Sequence, residues 1–219
     1  MKRLLLSSSV TLLLISVSTL AILASTADRV AAAGPEGFVS LFDGKTFDGW
    51  EGKLDVFRIQ DGAIVGGSLA RPVARNEFLC AKKEYGDFEL RVKFKLLGKG
   101  ANAGVQIRSQ RIPNHHEMIG YQPDLGDGWW GCLYDESRRG KVLAGPPAEQ
   151  RSKLVKSEDW NEYVIRCEGP RIRLWINGQP TADYTETDAS IPLKGLIGLQ
   201  IHGGGPTEAW YKDVFIKEL

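Results

Sequence analysis

The sequence is short of the features that mark the common catalytic scaffolds. Its three cysteines, Cys80, Cys132 and Cys167, are far apart, odd in number and form no Cys-x-x-Cys pair, which argues against a zinc site. A disulfide formed after export and small buried thiols on strands are the two readings left for them. No Gly-x-Ser-x-Gly or Ser-x-x-Lys nucleophile motif, P-loop or dinucleotide fingerprint occurs. Long apolar periodicity at 3.6 residues is missing as well, which excludes a helical bundle. There is no internal repeat.

Charge of one sign is also lacking. Without Lys2, Arg3, Arg29 and Asp28, which fall in residues 1–33, the rest of the chain carries a net charge of about −1. That balance argues against a nucleic-acid partner held by charge. After the first 33 residues no segment approaches the roughly 18 uncharged apolar residues of a membrane span.

What is present begins with Met1-Lys2-Arg3, an apolar run from Leu4 to Ala24, and then small residues, the layout of a secretory signal peptide. Cleavage is expected after Ala33, with Ala27 as the second position and an uncleaved anchor as the alternative. The mature protein is then periplasmic or secreted. Residues 34–219 suit a single domain with no linker dividing it.

Strict alternation of apolar and charged residues from Phe88 to Lys95 predicts a half-buried strand. The same period recurs over Tyr163–Cys167 and Arg171–Ile176, with shorter apolar runs at Phe57–Ile59, Ala63–Val65 and Leu196–Ile201. Asp61-Gly62 and Asn177-Gly178 each separate two such runs and suit tight hairpin turns. With 25 glycines and 10 prolines, the pattern predicts an all-β fold, an antiparallel β-sandwich or jelly roll. Any helix is short and falls within Pro147–Val155.

The candidate chemistry sits on strands whose water-facing side is polar. Strict alternation puts Gln106 and Arg108 on one face behind Val105 and Ile107, and Gln200 and His202 together behind Leu199 and Ile201. Gln122 and Asp124 share a face between them, followed by Trp129, Trp130, Tyr134, Asp135, Glu136, Arg138 and Arg139. Amides, carboxylates, arginine and flat rings are the groups that sugar recognition needs, because hydroxyls take paired hydrogen bonds while apolar ring faces take aromatic surfaces. The plainer readings are a hydrogen-bonded structural His202, a surface ion cluster at 135–139, and tryptophans in the core. His115-His116-Glu117 suggests a metal, but adjacent histidines on an extended segment point to opposite sides.

The order of these elements resembles the 3-keto-disaccharide hydrolase domain family over about residues 38–219. The likeness rests on Val39–Lys45 to Gly49-Trp50, Phe57-Arg58-Ile59 with Asp61-Gly62-Ala63-Ile64, and Tyr85–Leu90. It continues through Ala103–Arg108, Tyr121-Gln122 with Asp124, Gly131–Tyr134, Asp159-Trp160-Asn161, Ile176-Asn177-Gly178 and Gly198–His202. The resemblance implies a concanavalin A-like jelly roll of the lectin/glucanase type, holding an oligosaccharide or 3-keto-glycoside on its concave sheet. It implies glycosidic cleavage by acid/base elimination and hydration, with His202 or Asp124 as base or acid and Arg108 as the enolate-stabilising cation. Tyr134 or Glu136 supplies the remaining proton transfer, and Gln106, Gln122, Gln200, Trp129, Trp130 and Arg138 hold the sugar. A divalent cation, calcium, enters only by analogy. Many family members carry glutamate where this chain has Gly120, and Glu117 lies an odd step away, facing the wrong side of an unbulged strand. A noncatalytic lectin-like module and an ordinary two-carboxylate glycosidase are the competing readings.

Overall fold

The computed structural model describes residues 34–219; the expected signal segment, 1–33, lies outside the described residues. Two antiparallel sheets pack face to face. The eight-stranded sheet runs β13 (Gln179–Thr185), β12 (Arg171–Ile176), β11 (Asn161–Glu168), β6 (Phe88–Leu97), β15 (Thr207–Glu218), β4 (Ala63–Ser68) and β3 (Phe57–Gln60), with β1 (Val39–Ser40) paired to β15. The seven-stranded sheet runs β10 (Val142–Ala144), β9 (Leu133–Glu136), β8 (Met118–Gly126), β7 (Asn102–Arg111), β14 (Gly195–Ile201), β5 (Glu77–Tyr85) and β2 (Trp50–Glu51). The all-β sandwich expected from the alternating pattern is the observed architecture.

Period-2 patterning builds it. In β6 the even residues from Phe88 to Leu96 are buried while the charged residues between them face outward. Phe88, Leu90, Val92 and Phe94 meet Val105, Ile107, Leu199 and Ile201 of the opposite sheet in one core. Each large side chain buried this way contributes roughly 1.5–3 kcal/mol. The hairpins β3–β4 and β12–β13 turn at Asp61-Gly62 and Asn177-Gly178, with positive φ at all four residues, the backbone that a two-residue turn between twisted strands requires. The short helix falls at Ala148–Arg151, α1, inside the predicted window. Cys80, Cys132 and Cys167 are all buried and free.

A polar network stiffens the edge of the seven-stranded sheet. Asp135 on β9 is fully buried and takes ion pairs from Arg138 and Arg139. Arg139 also pairs with Glu186, which accepts from the Tyr121 hydroxyl at 2.6 Å and from the backbone N–H groups of Thr187 and Asp188. Burial alone would raise the Glu186 carboxyl, but hydrogen bonds from Arg139, Tyr121, Asp188 and Tyr184 outweigh it and hold the group at about 2. A carboxyl held below its ordinary value stabilises the fold fully above its unfolded pKa and loses that contribution as pH falls toward 2. Glu186→Gln is therefore expected to destabilise the protein most near neutral pH. In denaturant unfolding, the gap from the parent narrows between about pH 5 and about pH 2; a gap independent of pH contradicts the ionised network.

Candidate active site

The site is built by a defect in β7. Against both neighbours this strand carries one extra residue: Ile107 and Gln110 oppose Tyr121 and Ile119, and Gln106 and Ser109 oppose Gly198 and Leu196. Arg108 sits in the bulge with φ 47°. Such a bulge bends a strand and inverts its alternation from that point on. The hairpin beyond it folds back over the outer face of its own sheet. Arg111 reaches across to the Phe78 carbonyl (3.0 Å) and Glu51 (2.9 Å), and Met118 Sδ lies 3.3 Å from Cys80 Sγ. Glu117 Oε1 accepts from Asn76 Nδ2 at 3.0 Å.

The bend explains the residue at position 120. Gly120 has φ 149°, and a Cβ there would lie 2.3 Å from Ser109 Oγ and 2.7 Å from Ser109 Cα. No side chain fits, so the family's glutamate is excluded sterically at this position. The same bend brings Glu117 toward Glu136, the β9 residue opposite Gly120. The parity argument that turned Glu117 away assumed an unbulged strand.

Under the arm, Gln106, Gln122, Asp124 and Gln200 are all buried on the outer face of the sheet. Three of them form a directed relay that starts at Ser109. Ser109 Oγ donates to Gln106 Oε1 (2.6 Å), Gln106 Nε2 to Gln122 Oε1 (2.7 Å), and Gln122 Nε2 to Asp124 Oδ1 (2.8 Å). The relay fixes which end of each amide is free to meet a ligand. Gln200 stands outside it: both side-chain polar atoms are buried and unpartnered among the described residues. A buried amide left without partners is destabilising unless something else binds it. From the opposite sheet, Tyr211 donates through the core to the Gln200 carbonyl at 2.6 Å and holds that strand in place.

Two carboxyl groups in this region are held above the ordinary range. Burial raises Asp124 well above it, helped by the like charge of Glu136 and opposed by the Gln122 hydrogen bond and Arg151. Burial also raises the half-open Glu136, with Glu117 adding to the shift and the Ser137 backbone N–H and His202 opposing it. Tyr134 is raised as well, by burial and then by Glu136, Asp124 and Asp135.

The structure thus brings together Gln106, Gln122, Asp124, Gln200, Tyr134, Glu136 and His202. His202 is exposed at the end of β14, its Nδ1 2.7 Å from the Gly203 carbonyl. Trp129 is exposed beside Tyr134, ring centroids 5.9 Å apart, whereas Trp130 is buried and stacked on Phe94 in the core. Arg138 is taken up by Asp135 and lies 4.5 Å from the Tyr121 ring. Arg108 does not join the group: the bulge turns it to the end of the sandwich, where its fully buried guanidinium bonds the Gly86 and Gly169 carbonyls and Asp87. The expected pairing of Arg108 with Gln106 on one face fails because alternation stops at the extra residue. His115 and His116 also depart from expectation, since they lie in a turn and stack at 4.5 Å. No group of three or more His, Cys, Asp or Glu among the described residues is arranged to hold a metal ion. Sequence reasoning missed Asn76 altogether; its loop position carries no local signal. Glu117 was recoverable only from the glycine in the middle of β8, a common mark of a bend.

The profile of the 3-keto-alpha-glucoside-1,2-lyase-like domain matches residues 37–217. A curated relative, the 3-keto-disaccharide hydrolase of Bacteroides thetaiotaomicron, is 33% identical over 86 residues, which are 35% of this chain and 29% of the relative. The match therefore spans less than a third of that relative's length. Among solved structures, a candidate glycosyl hydrolase from Parabacteroides distasonis superposes with a TM-score of 0.63 at 22% identity, covering 84% of this chain and 94% of its own. The carbohydrate-binding module CBM66 from Bacillus subtilis gives 0.57 at 16%, covering 78% and 96%. These two likenesses establish a shared sandwich; the profile match over nearly all the described residues establishes more, and the chain belongs to the 3-keto-alpha-glucoside-1,2-lyase-like domain family.

Proposed function

We propose that the protein is an exported enzyme that cleaves the glycosidic bond of sugars carrying a ketone at carbon 3, by elimination followed by hydration. The observation that carries the reading is the pair Asp124 and Glu136, two carboxyl groups in one site with different access to water and both held above the ordinary range. Pairs of this kind divide into an acid and a base. A 3-ketone acidifies the hydrogen on carbon 2. Glu136 takes that proton and the C–H electron pair moves onto the ketone as an enolate; when the enolate re-forms the ketone, its electrons make the carbon 1–carbon 2 double bond and the bond from carbon 1 to the glycosidic oxygen breaks. Asp124, whose burial favours its protonated form, gives its proton to the departing oxygen. Water then adds across the double bond, so the net reaction is hydrolysis.

The amides supply recognition and charge stabilisation. Gln106 and Gln122, with their orientations fixed by the relay, read hydroxyls, while the unpartnered Gln200 amide offers an N–H for the enolate oxygen. Trp129 and Tyr134 give an aromatic edge at the mouth. His202 and Glu117 adjust the charge around Glu136.

Incubating the mature protein with an aryl 3-keto-glucoside and with its unoxidised parent tests the proposal. Aglycone release from the keto compound alone is the expected outcome, and a chelator leaves the rate unchanged. Release from the unoxidised glycoside indicates a two-carboxylate glycosidase instead. Sugar binding with no release from either identifies a lectin-like module.

A further inference from the structure

A cavity of about 850 Å3 opens between residues 53–58 and the strap of residues 67–77. Its floor is apolar, with Val56, Phe57 and Val73, and its rim is cationic. Lys53, Arg58, Arg71 and Arg75 line it against only two carboxylates, Asp55 and Glu77. Arg58 is already committed to Glu208 at 2.6 Å. Arg75 bonds Glu77 at 2.9 Å, while Lys53 stands 3.7 Å from both Glu77 and Asp55. Arg71 has no carboxylate partner among the described residues, and its one hydrogen bond is a long 3.4 Å contact to the Asp55 carbonyl. An exposed guanidinium with its donors free beside an apolar floor suits an anionic oxygen group, a carboxylate or a sulfate, on a partly apolar ligand.

The strap links this cavity to the site under the arm. Val73 and Gly204 exchange backbone hydrogen bonds of 3.0 and 2.8 Å, anchoring the strap next to His202. Three residues on, Asn76 accepts from the Gly203 N–H (2.8 Å) and donates to Glu117 (3.0 Å). The cavity and the site therefore share one wall. We infer that the cavity is a subsite for an acidic sugar unit, a uronate or a sulfated residue, belonging to a longer saccharide whose reacting end lies under the arm. This rests on the proposed sugar chemistry for its ligand class. Its volume lies in the range that holds small ligands.

Calorimetric binding to the full mature protein tests it without any turnover, so an absence of cleavage activity leaves the readout intact. The probes are trigalacturonate, its methyl ester, and a sulfated trisaccharide. Trigalacturonate or the sulfated sugar is expected to bind more tightly than the ester, with an advantage that shrinks as salt rises. Arg71→Ala is expected to weaken binding of the preferred anion by about tenfold, the scale of one charge-assisted contact, and Arg71→Lys to recover part of the loss. Arg71 is exposed, so both variants are expected to fold. Equal affinity for charged and neutral probes, or an Arg71→Ala protein that binds the acid as well as the parent, overturns the proposal.

Discussion

Asp124→Asn and Glu136→Gln are each expected to lower kcat/KM on an aryl 3-keto-glucoside by about 10²- to 10⁴-fold, the scale of a lost proton transfer. Their pH profiles tell them apart. Under the proposed mechanism the parent needs Glu136 ionised and Asp124 protonated, so its rate rises through the Glu136 pKa and falls through the Asp124 pKa. Both lie above the ordinary carboxylate range, and each is pushed there first by burial. Asp124→Asn removes the alkaline limb, because no proton remains to be lost there. Glu136→Gln removes the acid limb and, by deleting a like charge beside Asp124, moves the alkaline limb toward lower pH. Two variants that keep the parental profile at reduced height rule out this division of roles.

Arg108→Met is expected to act on stability rather than chemistry. Its side chain is fully buried and satisfies the carbonyls of Gly86 and Gly169 together with Asp87, tying two turns at one end of the sandwich. Asp87 is half exposed and stays solvated without its partner, so the main cost is the two stranded carbonyls, about 1–3 kcal/mol for each that is left unsatisfied. In denaturant unfolding the free energy of unfolding should fall by that amount and the midpoint with it, while folded protein at low temperature keeps its KM. A raised KM or a collapsed kcat with normal stability would instead return Arg108 to the site.

The fold was largely legible in the sequence because alternation is a local signal. Phe88–Lys95, Arg171–Ile176 and the Asp61-Gly62 and Asn177-Gly178 turns each state their conformation within a few residues. Gln106, Gln122, Asp124 and Gln200 were legible for the same reason, since each lies on an unbroken stretch of its strand. The reading failed where periodicity was interrupted. Nothing near Arg108 announces an extra residue, yet that residue sends its own side chain to the end of the sandwich. Trp130 was ambiguous for a different reason: its burial depends on Phe94, a residue far away in the chain.

The extra residue in β7 also bears on how specificity can diverge. Because side chains alternate with period two, losing one residue at the bulge re-registers the arm as a unit and exchanges the set facing the sheet for the set facing away. A single in-frame deletion at that point replaces several contacts together, whereas point substitutions change them one at a time. The bend thus makes the face of the arm changeable in one coarse step as well as gradually, while the alternating strands of the core keep their register.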